Sequence, residues 1–147
     1  LYPVLIVAAI VAVDQLVKSI LVKALANGPI SVIGSFFRLV YVENYGIAFG
    51  MFKNKTMFFV ITQTLIAMIV IFVIYKFRYK SVGMTICLSL ILGGAIGNLI
   101  DRIRLGYVVD FLSFSIFPPV FNIADSAIVV GAILLSLMLV FSKDVQL

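Results

Sequence analysis

Residues 56–75 read TMFFVITQTLIAMIVIFVIY, and residues 81–100 read SVGMTICLSLILGGAIGNLI. Neither run contains a formal charge, and each is about the length that a helix needs to cross the hydrocarbon core of a bilayer. Two further runs have the same character. Residues 2–22 are apolar apart from Asp14 and Lys18, and FNIADSAIVVGAILLSLMLVF (121–141) carries only Asp125, near its start. Backbone polar groups have no water partner in lipid, so spanning segments pair their own amides as helices. The pattern predicts an all-α polytopic membrane protein with four spans, at 2–22, 56–75, 81–100 and 121–141, in one integral membrane domain over 1–147.

Composition agrees. Of the 147 residues 64% are hydrophobic and 12% are charged, about half the charge content of a soluble domain. So much apolar surface needs a solvent other than water. The net charge is +5, but the basic residues are scattered without a stripe of interleaved aromatics. That argues against nucleic-acid binding. There is one cysteine, Cys87, and no histidine. Intrachain disulfides, thiol-pair zinc sites, histidine-ligated metals and histidine general bases are all excluded. No cleavable signal peptide is expected, because the first run carries Asp14 and Lys18.

An even span count puts both termini on one side. The cluster Lys76, Arg78, Lys80 between spans two and three suggests a cytoplasmic turn. The other two loops, however, hold Lys23, Arg38, Lys53, Lys55, Arg102 and Arg104, so charge alone leaves orientation open. The loop from about 24 to 55 is long for a helical bundle. Its β-branched and aromatic residues, with Gly46 and Gly50 as breakers, predict a small β element at the membrane surface. The second long loop, about 101–120, ends in Pro118-Pro119, which prevents helix from running unbroken into span four.

Six acids are present: Asp14, Glu43, Asp101, Asp110, Asp125 and Asp144. Asp144 in the tail is expected to be solvated, and Glu43 beside Asn44 can face water. Asp14 and Lys18, spaced i, i+4, can pair on one helix face, which favours a structural role. Asn98, Asp101 and Arg102 share a face at the end of span three. If that helix continued, Asp110 would point about 180° away from Asp101. Either the helix ends at Gly106 or Asp110 works with another group, and Asp125 is the natural partner. Asp125 can also be read as an anion at a helix N-terminus, three residues after Asn122. Intramembrane acids nonetheless default to a functional reading. Two aspartates brought together share one proton, so one can take a proton from water while the other donates. That is aspartyl peptidase chemistry, and it needs neither metal nor histidine.

The segments VDQLVK (13–18), ENYGIAFG (43–50), GGAIGNLIDRIRLGYVVDFL (93–112) and FNIADSAI (121–128) together resemble the bacterial lipoprotein signal peptidases, the signal peptidase II family. Their order and spacing fit, and the likeness covers nearly the whole chain. The resemblance implies an aspartic endopeptidase of the bacterial inner membrane that removes signal peptides from diacylglyceryl-modified prolipoproteins, cutting before the lipidated cysteine. It implies a catalytic pair at Asp110 and Asp125 and no cofactor. Supporting or substrate-binding positions fall on Asp14, Asn44, Asn98, Asp101, Arg102 and Asn122. Asn44 and Arg102 are the positions expected to meet substrate, or globomycin-type inhibitors. The first loop becomes an extracytoplasmic β-cradle, with cytoplasmic termini and the site near the outer face. The partners implied are the lipid-modified substrate and membrane lipid. Two other classes fit parts of the pattern: a transporter or channel subunit using its acids as ion sites, and a metal-dependent phosphotransferase using several aspartates.

Overall fold

The computed structural model describes residues 1–46, 56–77 and 81–141. The expected far part of ENYGIAFG, the turn holding Arg78 and Lys80, and Asp144 lie outside the described residues. Among those described, four helices are long and apolar enough to cross a bilayer. They are α1 (Tyr2–Ala24), α2 (Thr56–Phe77), α3 (Val82–Leu105) and α4 (Ile123–Phe141).

Helix α3 is the centre of the bundle and packs against each of the other three. Its small residues allow this. Gly94 lies against the backbone of Ala124 in α4, and Gly97 lies against Asp14 in α1 and Ala124 in α4. Close backbone approach between small residues is the usual means of helix association in lipid, where the hydrophobic effect supplies no driving force. A larger apolar cluster, Ala67, Ile74, Met84, Leu88 and Leu92, joins α2 to α3. The outward faces of α1, α2 and α4 remain exposed and apolar, as lipid-facing surface requires.

The β element is larger than the first loop alone. Strands β1 (Ile30–Ile33) and β2 (Phe37–Asn44) come from that loop, but β3 (Val108–Phe114) and β4 (Phe117–Phe121) come from the second. They form one antiparallel sheet in the order β1-β2-β3-β4. Pro118 and Pro119 fall in β4, an edge strand, where a missing N–H is tolerated. Phe37, Phe114 and Phe121 stack across three strands, with ring centroids 4.6 and 5.7 Å apart. Cross-strand aromatic pairs of this kind hold register. The sheet therefore ties the α1–α2 connection to the α3–α4 connection at one end of the bundle.

Candidate active site

Helix α3 stops at Gly106, which adopts a left-handed φ of 85° and donates its N–H to Arg102 O at 3.1 Å. Glycine reaches this conformation without the Cβ penalty that other residues meet. The chain then turns directly into β3. Thr56 Oγ1, at the start of α2, donates to Gly106 O at 2.8 Å and pins the turn from the other side. Asp110 is thus delivered by a strand and not by a continued helix. In that strand Val42 of β2 lies opposite Asp110, and Asn44 lies opposite Val108.

The Asp110 carboxylate is buried. Its Oδ2 accepts from Asn44 Nδ2 at 2.9 Å and its Oδ1 accepts from Asn122 Nδ2 at 2.7 Å. Asn44 is itself fixed, because its Oδ1 accepts the Gly46 N–H at 3.0 Å. Asp125 is half-buried in the first turn of α4. Its Oδ1 accepts from Asn98 Nδ2 at 2.6 Å and its Oδ2 accepts the Asn122 N–H at 3.2 Å. In return the Asp125 N–H donates to Asn122 Oδ1 at 2.8 Å. The pair is a reciprocal capping box that closes the N-terminus of α4. Asn122 therefore touches both carboxylates: its side-chain amide binds Asp110 and its backbone amide binds Asp125.

The remaining expected residues divide. Asp101 turns back toward α1, where Lys18 Nζ lies 2.8 Å from its Oδ2, and the same oxygen accepts the Val109 N–H at 3.1 Å. Asp14 pairs with Lys18 at 2.8 Å, as its i, i+4 spacing predicts, and its other oxygen accepts the Ala124 N–H at 2.9 Å. Arg102 points to α2, where Nη1 donates to Gln63 Oε1 at 3.0 Å and the guanidinium lies 5.3 Å from the Phe59 ring centre. Thus Asn98, Asp101 and Arg102, grouped on one helix face by spacing, divide: Asn98 and Asp101 both meet Lys18 of α1, Asn98 also reaches Asp125, and Arg102 turns to α2. Glu43 is exposed and accepts from Tyr45 Oη at 2.7 Å and Tyr41 Oη at 3.0 Å. Two residues outside the expected set belong to the same network. Lys18 is buried, and Gln15 donates to Asp101 Oδ1 at 2.8 Å. Their signal in the sequence is the polar face 14, 15, 18 in an otherwise apolar helix.

Burial pushes the Asp110 carboxyl up to about 6, and the nearby Asp125 charge adds to the rise, against the hydrogen bonds from Asn44 and Asn122 and the charge of Lys18. A group held this way carries its proton to a higher pH than a solvated aspartate. Asp125→Asn removes a like charge, so the Asp110 carboxyl is expected to titrate lower in that variant while staying above its ordinary value, because burial remains. Carbon NMR of aspartate-labelled protein measures this. An unmoved Asp110 titration would mean that the two carboxylates are not electrostatically coupled.

Chemically, the arrangement offers two carboxylates from different elements, one of them reluctant to ionise, at the end of the bundle where the sheet lies. The family model described as signal peptidase (SPase) II matches residues 6–141. A lipoprotein signal peptidase of Caldanaerobacter subterraneus subsp. tengcongensis is 49% identical over 97% of this chain and 99% of its own length. One from Moorella thermoacetica is 47% identical over 98% of this chain and 97% of its own. A solved structure described as a bacterial membrane enzyme, obtained by the in meso method at 2.3 Å resolution, is 32% identical. It superposes with a TM-score of 0.84 over 99% of this chain and 93% of its own.

Proposed function

The chain belongs to the signal peptidase II family, and from that premise we propose that it is a multi-pass aspartic endopeptidase that removes signal peptides from prolipoproteins. The observation that carries the catalytic assignment is Asn122, which hydrogen-bonds Asp110 through its side chain and Asp125 through its backbone. A water held between the two carboxylates loses a proton to the ionised one and attacks the scissile carbonyl carbon. The protonated carboxyl donates to the carbonyl oxygen. Collapse of the tetrahedral intermediate breaks the C–N bond, and a carboxyl proton leaves with the amine. The pair titrates jointly, so the proton belongs to both.

The other residues supply position. Asn44 and Asn98 each hold one carboxylate oxygen, Asp14 and Asp101 hold backbone amides beside the pair, and Arg102 with Asn44 meets the substrate. The substrate is a prolipoprotein whose cysteine carries diacylglycerol, cut just before that cysteine. Its acyl chains lie in the bilayer and its signal helix lies against the spans. The bond to be cut must leave helical geometry to expose its carbonyl. In this reading the protein sits in the bacterial inner membrane with cytoplasmic termini, and the sheet lies at the outer face with the site beneath it. Globomycin-type peptides occupy the substrate position.

The test is a gel-shift assay with purified protein and a diacylglyceryl-modified prolipoprotein. Release of the signal peptide, unaffected by EDTA, is expected, and the unlipidated precursor is expected to remain intact. Ion flux into liposomes without cleavage would favour the transporter reading instead.

A further inference from the structure

Lys18 sits behind the proposed catalytic pair. Its ammonium has three protons to donate, and three acceptors surround it: Asp14 Oδ2 at 2.8 Å, Asp101 Oδ2 at 2.8 Å and Asn98 Oδ1 at 3.2 Å. Each acceptor then reaches the pair. Asp101 holds the N–H of Val109, the residue before Asp110, and Asp14 holds the N–H of Ala124, the residue before Asp125. Asn98 donates to Asp125 and accepts from Asn122, which binds Asp110. One ammonium on α1 therefore connects to both aspartates by separate routes, through α3 to β3 and directly from α1 to α4.

A simple structural ion pair would not look like this. Asp14 and Lys18 satisfy each other on one helix, and a second buried carboxylate adds desolvation cost. Asp101 brings that cost and spends its oxygens on Lys18, Gln15 and one strand amide. Among the described residues, the charged groups facing this region are Asp14 and Lys18 from α1, Asp101 and Arg102 from α3, Asp110 from β3 and Asp125 from α4.

We propose that Lys18 is a positioning residue: through Asp14, Asp101 and Asn98 it fixes the backbone and side-chain settings of Asp110 and Asp125 from the buried side of the site. This rests on the aspartic peptidase reading. Reaction requires the two carboxylates and the scissile carbonyl to meet within a fraction of an ångström, and a displacement of about 1 Å costs about 100-fold in rate. Lys18 touches no substrate in this arrangement, so its loss is expected in kcat and not in KM.

Two variants test it. Lys18→Gln/Asp14→Asn removes one charge of each sign and keeps donors and acceptors at both positions. Asp101→Asn keeps the Lys18–Asp14 pair but withdraws the carboxylate from the Val109 amide. Each is measured for detergent-solubilised melting and for kcat and KM on the lipidated precursor. The expected result is melting within a few degrees of the native protein, kcat reduced about 100-fold and KM within threefold. Native kcat in either folded variant overturns the proposal, and so does a loss confined to KM. Failure of both variants to fold overturns it too, leaving the network purely structural. Asp110→Asn and Asp125→Asn are assayed alongside. Cleavage by those two would defeat the peptidase reading itself, a result separate from any outcome at Lys18.

Discussion

Asp110→Asn is expected to abolish prolipoprotein cleavage and, above about pH 6, to make the folded protein more stable. The activity loss follows from removing one of the two groups that, in the proposed mechanism, exchange protons with water and substrate. Positioned acid–base groups contribute about 100- to 10,000-fold, so a drop of at least about 1,000-fold is the expected reading. The stability gain follows from burial. The Asp110 carboxyl is raised from 3.8 to about 6 in the folded protein. Its native pKa is above its unfolded one, so its contribution is fully present below pH 3.8 and is lost as pH rises through 6. Above that pH the buried charge costs about 2–3 kcal/mol. Asparagine removes the charge, but its NH2 faces the donor of either Asn44 or Asn122, and that lost bond costs about 1 kcal/mol. The net gain is about 1–2 kcal/mol at neutral pH and absent near pH 4. Thermal melting of both proteins across that range measures it. A melting difference that does not change with pH would show that Asp110 is not held against ionisation. Asp125→Asn is expected to lose activity to the same degree without the gain, because Asp125 also closes the capping box of α4.

Gly94→Ala is expected to disrupt the bundle more than any other single methyl addition to α3. A Cβ at Gly94 would run into the carbonyl oxygen of Ala124 and would stand 2.7 Å from Ile128 Cγ1. The first obstacle is backbone, which cannot rotate away, so α3 and α4 must separate. Overpacking of this kind costs about 1–3 kcal/mol and sometimes more. The displaced turn carries Ala124 and Asp125, so activity falls with stability. Gly83→Ala is the control. There the added carbon would meet the end of the Met138 side chain at 2.6 Å, and methionine can adopt another rotamer. Melting in detergent should separate the two, with Gly83→Ala close to native. Equal melting temperatures would mean that the α3–α4 approach is not held tightly.

The helices were legible because lipid imposes a strict rule: about 20 residues without unpaired charge. The sheet was only half legible. Aromatic and β-branched residues announced β1 and β2, but VVDFLSF (108–114) is short, contains a carboxylate and reads equally well as an apolar stretch around a site. Proline twice in β4 further disguised that strand, because a lone sequence does not show which strand lies at an edge. The end of α3 at Gly106 could be framed as one of two alternatives from helical rotation alone. The network behind the pair could not. Asp14 and Lys18 look self-sufficient at i, i+4, and nothing local tells that Asp101, more than eighty residues on, completes the ammonium's shell. Asn98, Asp101 and Arg102 share a helix face by spacing, yet the first two turn to Lys18 and the third to Gln63 of α2, since spacing fixes direction and not what stands there.

The sheet joins strands made early in the chain to strands made late. Asn44 reaches Asp110, and Asp14 reaches the amide of Ala124. During synthesis the first two helices can enter the membrane while β2 still lacks β3 and while α3, against which both pack, is still to come. No part of the first half can complete the pair of carboxylates, whose two members both arrive with the last third of the chain. If the pair acts as proposed, a nascent or truncated chain is thereby kept from cutting peptides around it, and competence comes only when the final helix is in place. On the proposed assignment, the same long-range pairing of early and late strands sets the time at which activity can begin.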